Sequence, residues 1–516
     1  MKLKNYAVVS IALMTLSPAQ ALPLRGKSFF SPRSQSANAA RNFAGLELFT
    51  YDPARCTSWG FWSATVNYSH TFSTKSVAEY FFGYDTLRFS GSQVPQRDDN
   101  DILADYFGLS TTFNGSVTLR PHWHSALVDL RLYAGLDGIA RGLYATVYAP
   151  AAWTRSYIRL DEVVGDDGVS TPYPIQYMSD QQLNAPLRTI NEAWNRTTLY
   201  GDVQEPLTYG KIAGAQSQRG IADIHAELGW NFILCDHGHV GLRAHLGIPT
   251  GNRSTAEFLF EPMIGNGHHW ELGVGASGHV RVWEKDGEQE LAVYLDALLT
   301  HLCSSRQRRS FDFLKNGFGS RYLLLKEFNT IGAYTRRLVP AINKTTLACD
   351  VWYPLQLEFL FMFGYHYNSF SLDFGYNGWL RSRERIKLKG KIAHNKYGIK
   401  GIQNVTLPAG APSSATQSIA TLHGNDFADQ ALLVDATSPL FVNTGDLNVK
   451  SAAATSALTH KLFAHVSYVL PTTWYAEPFV GMGTEIEFEG ILPRDSEPNK
   501  PTMSQVSLWI KGGFVF

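Results

Sequence analysis

The chain has 516 residues with 45 basic and 45 acidic side chains, and only 17% of its residues are charged. That balance excludes the basic footprint of a nucleic-acid partner. Mean hydropathy is -0.15 and no run of about 18 apolar residues follows the N-terminal segment, which excludes transmembrane helices but not a sheet whose apolar residues alternate with polar ones.

Lys2 and Lys4 precede an apolar run from Tyr6 to Leu16, followed by Pro18 and Ala19-Gln20-Ala21. A basic start, a short apolar stretch and a small-x-small end predict a cleaved secretory signal peptide over residues 1–21. No cysteine lies near the cleavage site, so a lipoprotein anchor is not indicated. Residues 22–45 carry Arg25, Lys27, Arg33 and Arg41 among serines and alanines without a period, and are expected to form a mobile arm or a plug inside a lumen. Residues 46–516 are expected to be strands and their connections.

Leu46 to Tyr51 is read as the first strand. Trp62, Ala64, Val66, Tyr68 and Phe72 then alternate with Ser63, Thr65, Asn67 and Ser69. Val117 to Leu132 reads as one strand bent at Pro121, and Leu143 to Trp153 as the next; Pro121 and Pro150 each predict a strand edge or a bulge. The proline-rich stretch from Arg155 to Arg219 breaks the rhythm, with one helical turn set near Asn184 to Trp194, and is a candidate to fold inward and narrow a pore.

The clearest alternation follows. Ala222, Ile224, Ala226, Leu228, Trp230, Phe232 and Leu234 fall on one side, with Asp223, His225, Glu227 and Asn231 on the other. After a tight turn at Asp236 and His237, Val240, Leu242, Ala244, Leu246 and Ile248 face away from Arg243 and His245. Trp270 to Val282, Leu291 to Cys303, Leu355 to Tyr367, Phe370 to Leu380, Leu458 to Leu470 and Val480 to Phe488 repeat the pattern. A single soluble domain seldom sustains so many long two-faced strands without helices, whereas a barrel in a bilayer requires them.

Short connections at Asp236 to Gly238, Glu284 to Gln289, Asn368 to Ser369 and Pro471 to Thr473 alternate with long ones at Thr250 to Gly267, Ser304 to Asn343, Lys389 to Ala457 and Gly490 to Pro501. Treating Thr345 to Tyr367 as one strand bent at Pro354 keeps this parity. The count comes to about fourteen strands, within a range of about twelve to sixteen.

The last stretch, Ser504 to Phe516, has Val506, Leu508, Ile510, Phe514 and Phe516 apolar in alternation and ends on an aromatic residue. It resembles the Gram-negative outer-membrane β-barrels, many of which finish on an alternating strand with a terminal Phe. That resemblance implies an all-β transmembrane antiparallel barrel with long extracellular loops, placed in the outer membrane by the barrel assembly machinery. Outer-membrane lipid and lipopolysaccharide would then be its surroundings. Gly220-Ile221-Ala222-Asp223, Pro249-Thr250-Gly251-Asn252 and Gly265-Asn266-Gly267 follow one another in an order that resembles outer-membrane barrels importing aromatic or fatty compounds.

Cys235-Asp236-His237-Gly238-His239 and His268-His269-Trp270-Glu271 look like metal ligands, but alternation sends consecutive residues to opposite faces, so no metal is expected. Cys56, Cys235, Cys303 and Cys349 have no CxxC spacing and no disulfide is assumed. Neither GxSxG nor HExxH occurs, and neither an enzyme nor a cofactor is expected. The expectation is a porin-like channel for passive diffusion of small solutes, lined by Asp223, His225, Glu227, Arg243, His245, Glu271 and Arg281. Arg306, Arg308 and Arg309 are candidates for a constriction loop. The alternatives are an importer of hydrophobic or aromatic compounds, or a surface barrel whose loops Arg155 to Arg219 and Lys389 to Ala457 bind host or neighbouring cells.

Overall fold

The computed structural model describes residues 33–51, 59–82, 84–91, 93–95, 98, 101–168, 186–195, 198–201, 203–314, 316, 318–330, 334–400, 421–422, 441–472, 475–489 and 504–516. The expected signal peptide, Cys56 and much of the stretch from Lys389 to Ala457 lie outside the described residues.

Twelve antiparallel strands close into a barrel in which every strand pairs with its neighbours in the chain. They are β1 (Gly60–Thr71), β2 (Asn114–Gly135), β3 (Leu143–Asp166), β4 (Ile224–Cys235), β5 (Gly238–Ile248), β6 (Glu271–Lys285), β7 (Gln289–Ser310), β8 (Thr346–Tyr367), β9 (Phe370–Arg381), β10 (Ala457–Val469), β11 (Glu477–Glu489) and β12 (Gln505–Val515). β12 pairs with β1 from Phe61↔Val515 to Thr71↔Gln505, and Gly60 and Phe516 exchange both backbone hydrogen bonds at 2.8 Å. The β12–β1 seam closes the ring, as a span through hydrocarbon requires.

The count of twelve is the lower end of the expected range. Leu46 to Tyr51 is not a strand: it contains a short helix, Glu47–Thr50, inside the barrel. Its apolar residues at positions 46 and 49 are three apart, which places them on one face of a helix but on opposite faces of a strand, and Leu46 and Phe49 pack on Phe61 and Phe479.

The expected faces are the observed ones within the strands, but Ala222, expected outward, is 0% exposed and precedes the strand that begins at Ile224. Leu228 is 54% exposed and Leu242 58%, and both belong to a continuous outward belt of Val, Leu and Ile, whereas Asp223, His225, Asn231 and His245 point inward and are buried. Trp62, Trp230, Trp283, Tyr367, Tyr468 and Phe516 ring the belt at the short-turn end, and Tyr68, Trp153 and Trp270 stand toward the other end, as the aromatic girdles of a bilayer barrel do.

Both prolines sit where a neighbour is interrupted. β2 is paired with β1 up to His124 and with the short strand Thr86–Ser90 from Thr118, and Pro121 lies between the two. β3 is paired with β4 up to Tyr148 and with the short strand Gln216–Ile221 from Ala151, and Pro150 lies at that break. A residue without an N–H is tolerated where there is no acceptor to serve. Opposite Pro354, the β7–β8 ladder shifts register between Thr300 and Ser305, which is the bend expected there.

β3 continues to Asp166, well beyond the expected end at Trp153. At the long-loop end the connections pack an apolar cap around Phe89, Phe107, Trp194 and Tyr322, with Phe89 and Trp194 edge to face at 5.5 Å. The helix Ile190–Asn195 contributes Ile190, Ala193 and Trp194 to it.

Candidate functional site

The wall of the barrel breaks at Ala222 and Asp223. The short strand Gln216–Ile221 prolongs the line of β4 along β3, but the two residues between them leave the ladder. On the other side β5 ends at Ile248 and β6 begins at Glu271, so the connection between them fills the wall at this height.

The three Gly-containing motifs converge here. Thr250 Oγ1 donates to the Ala222 carbonyl at 2.7 Å, and the Asn252 side chain accepts from the Ile264 N–H at 2.6 Å. A Cβ on Gly251 would stand 2.0 Å from the Ile264 carbonyl oxygen, so the turn accepts only glycine. Gly265 has φ +76°, and a Cβ there would lie 2.7 Å from Asp223 Oδ1, so its missing side chain is what admits the carboxylate.

Asp223 is 0% exposed. Its Oδ2 accepts from Ser34 Oγ and from the Asn266 N–H, both at 2.7 Å, and its carbonyl accepts from Ser36 Oγ at 2.7 Å. Between those serines, Gln35 donates to the Met263 carbonyl at 2.9 Å and accepts from the Gly265 N–H at 2.7 Å. The motif residues are therefore the seat of the N-terminal segment rather than ordinary hairpin corners.

From that seat, residues 33–51 cross the lumen as two short helices, α1 (Ala39–Phe43), capped by the Asn38 side chain on the Arg41 N–H, and α2 (Glu47–Thr50). The wall holds them from many sides. Arg33 pairs with Glu487 at 2.9 Å, Asn38 donates to Glu485 at 2.8 Å, and the Ala39 N–H donates to Glu358 at 2.8 Å. The Gly45 N–H donates to Asp373 at 3.0 Å, and Lys511 Nζ donates to the Arg41 and Ala44 carbonyls at 2.7 and 2.5 Å. Gly45 has φ +75° and a Cβ there would meet His465 at 2.2 Å. Tyr51 stacks on His239 with ring centroids 3.5 Å apart.

Five of the expected lining residues meet at mid-height. Arg243 forks onto Asp296 at 2.6 and 2.8 Å and lies 3.4 Å from Glu227. His245 Nδ1 bonds Glu227 at 2.9 Å, His245 Nε2 lies 2.8 Å from His225 Nδ1, and Glu271 accepts from Gln356 at 3.3 Å. Asp223 lies apart from them at the wall break. Arg281 lies at the short-turn end, where it pairs with Glu284 and Glu290 at 3.0 and 2.8 Å. Among the described residues, His225, His245 and Glu271 are the group that could hold a metal ion; neither Cys235 to His239 nor His268 and His269 joins it.

The three arginines are not in a loop. They lie in the upper part of β7, where Arg306 and Arg308 project outward, Arg306 to Asp350 at 2.7 Å and Arg308 to the Tyr209 hydroxyl at 2.6 Å. Only Arg309 turns inward, onto buried Glu384 at 3.1 Å. The reading fails because β7 outlasts its apolar alternation: above the belt both faces meet polar groups.

Residues outside the expected lining set complete the arrangement. Asp296, Glu358, Asp373 and Glu485 were legible as inward by period alone, whereas Ser34, Gln35, Ser36 and Asn38 carry no periodic signal. Between α2 and the wall remains a cavity of about 80 Å³, lined by Tyr51, Arg243, His245 and Glu271 among others. A second cavity, of about 30 Å³, lies in the cap among Phe82, Phe107, Leu119, Trp194 and Leu259.

No family model matches the chain, and no curated protein matches it in sequence. Among solved structures it is similar to a FadL homologue of Pseudomonas aeruginosa, at 8% identity over 95% of this chain and 99% of that one, with a TM-score of 0.30. It is similar to a deltaS2S3 mutant of the monoaromatic hydrocarbon channel TodX, at 9% identity over 95% and 96%, with a TM-score of 0.32. A third is the toluene transporter TbuX of Ralstonia pickettii, at 7% identity over 89% and 88%, with a TM-score of 0.25.

Proposed function

We propose that the chain is an outer-membrane transport protein for small apolar compounds and not an open aqueous porin. The observation that carries this reading is the occupied lumen. Residues 33–51 are hydrogen-bonded to β8, β9, β11 and β12 and to the wall break, and the space left beside them holds no more than a few waters. A hydrated solute has no such path. The cap instead has an apolar interior walled by Phe89, Phe107, Trp194 and Tyr322, the kind of lining that takes an apolar guest out of water; its cavity of about 30 Å³ has to widen to admit one.

The break at Ala222 and Asp223 supports the same reading, because there the wall is made by side-chain and loop contacts rather than by a continuous ladder. An apolar guest needs neither a hydrated bore nor a row of charges along its way. The test is transport by full-length protein in liposomes. A labelled small aromatic hydrocarbon should equilibrate faster than in protein-free vesicles, while a monosaccharide should not enter. Sugar entry at a rate matching the hydrocarbon's would restore the porin.

A further inference from the structure

We infer that His225, His245 and Glu271 form a binding site for a divalent transition cation of the zinc type inside the barrel. The inference does not rest on the proposed transport of apolar compounds. The three come from adjacent strands β4, β5 and β6, all point inward and are all buried, and their ligand atoms lie within 4.8 Å of one another. Two imidazoles and one carboxylate are the donor set of open, three-residue zinc sites.

Register explains the convergence. Gly247 of β5 lies directly between His225 on one neighbour and Glu271 on the other. A Cβ on Gly247 would stand 2.8 Å from Glu271 Cβ and 3.3 Å from His225 Cε1. Glycine therefore leaves the gap over which the two side chains lean together, and His245, two residues along the same strand, closes the triangle.

The surroundings are built as ligand supports. Glu227 holds His245 Nδ1 at 2.9 Å, which directs Nε2 to the centre, as carboxylate partners of metal-bound histidines do. Gln356 steadies the Glu271 carboxylate at 3.3 Å, and Tyr148 stacks on the His225 ring with centroids 5.0 Å apart. His225 is 1% exposed and its Nε2 has no hydrogen-bond partner, so that nitrogen is free to carry the ring proton when Nδ1 turns to a cation.

Without a cation, His225 Nδ1 and His245 Nε2, 2.8 Å apart, share one proton. Cation binding moves that proton to His225 Nε2, which has no other partner, and so turns both lone pairs onto the metal with each ring still neutral. Zinc–nitrogen bonds of about 2.0 to 2.1 Å in a tetrahedron set the nitrogens about 3.3 Å apart, so the pair has to open by roughly half an ångström. The fourth position faces the lumen cavity that all three residues line and takes a water. Arg131, over the Tyr148 ring at 4.4 Å, and Arg243 are the opposing charges, and Asp296 and Glu227 already neutralise Arg243.

The test is Co²⁺ and Zn²⁺ titration of the full chain in detergent. One Co²⁺ per chain should bind with the visible absorption of a four-coordinate site, and Zn²⁺ should displace it. His245→Ala and Glu271→Gln should each weaken binding at least a hundredfold, and Glu227→Gln about ten- to a hundredfold. His239→Ala, in the neighbouring His239–His279 pair, should leave it unchanged. Heat-modifiable migration identifies the folded variants; should His245→Ala fail to fold, Glu271→Gln, which keeps the side-chain shape, gives the same reading. No binding below millimolar concentration, or equal binding by the parent and Glu271→Gln, overturns the site.

Discussion

Asp223→Ala separates the seat of the N-terminal segment from the barrel that carries it. The substitution removes the acceptor for Ser34 Oγ and for the Asn266 N–H and leaves both donors in a buried place. Each unsatisfied buried donor costs about 1 to 3 kcal/mol. Allowing the serine hydroxyl to turn elsewhere, docking of residues 33–51 should weaken by about 2 to 4 kcal/mol, or roughly 30- to 1,000-fold. The ladder is untouched, because Asp223 is outside it and Ala222 N still donates to the Pro150 carbonyl. Hydrogen exchange in detergent reads this directly: the Asn42 and Ala44 amides of α1 should exchange faster by that factor while those of β12 keep their protection. Asp223→Asn, whose amide oxygen still accepts one bond, should fall between. Unchanged exchange in α1 of a folded Asp223→Ala protein would refute the seat.

Gly265→Ala should loosen the same segment, since it adds a Cβ at positive φ against the Asp223 carboxylate, and protease sensitivity of residues 33–51 would show it. Leu228→Arg places a charge in the outward belt and should lower barrel stability by about 2 to 4 kcal/mol in urea unfolding. Glu227→Gln, which the period alone marks as a harmless change in the lumen, should cost about 1 to 3 kcal/mol, because Glu227 hydrogen-bonds His245 and forms an ion pair with Arg243. Arg306→Gln and Arg308→Gln should leave stability within about 0.5 kcal/mol, whereas Arg309→Gln, which unpairs buried Glu384, should cost about 3 to 5 kcal/mol in the same assay. A cysteine replacing Leu314 should react with an impermeant reagent on intact cells and one replacing Ile139 should not; the reverse would invert the barrel.

The barrel was legible because lipid and lumen impose opposite demands on successive residues, so Leu228 and Glu227 are neighbours that cannot exchange. The short turns were legible for the same reason, since the alternation stops at each. Where a strand leaves the belt that signal ends before the strand does, which hid the upper parts of β3 and β7 and made a loop of Arg306 to Arg309. The lumen segment was the hardest to read. Ser34, Ser36, Asn38 and Gly45 find their partners in Asp223, Glu485 and Asp373, hundreds of residues away and on strands that closure alone brings together. The histidine and glutamate cluster was half visible: each member was placed inward, but their meeting depends on Gly247 and on the register of three strands.

Single-channel recording in planar bilayers tests the occupied lumen most directly. The full chain should give no steady ohmic steps at moderate voltage, and a variant lacking residues 33–51, verified as folded by heat-modifiable migration, should give steps of uniform size from an unblocked bore. Steps of the same size from the intact protein would contradict the account.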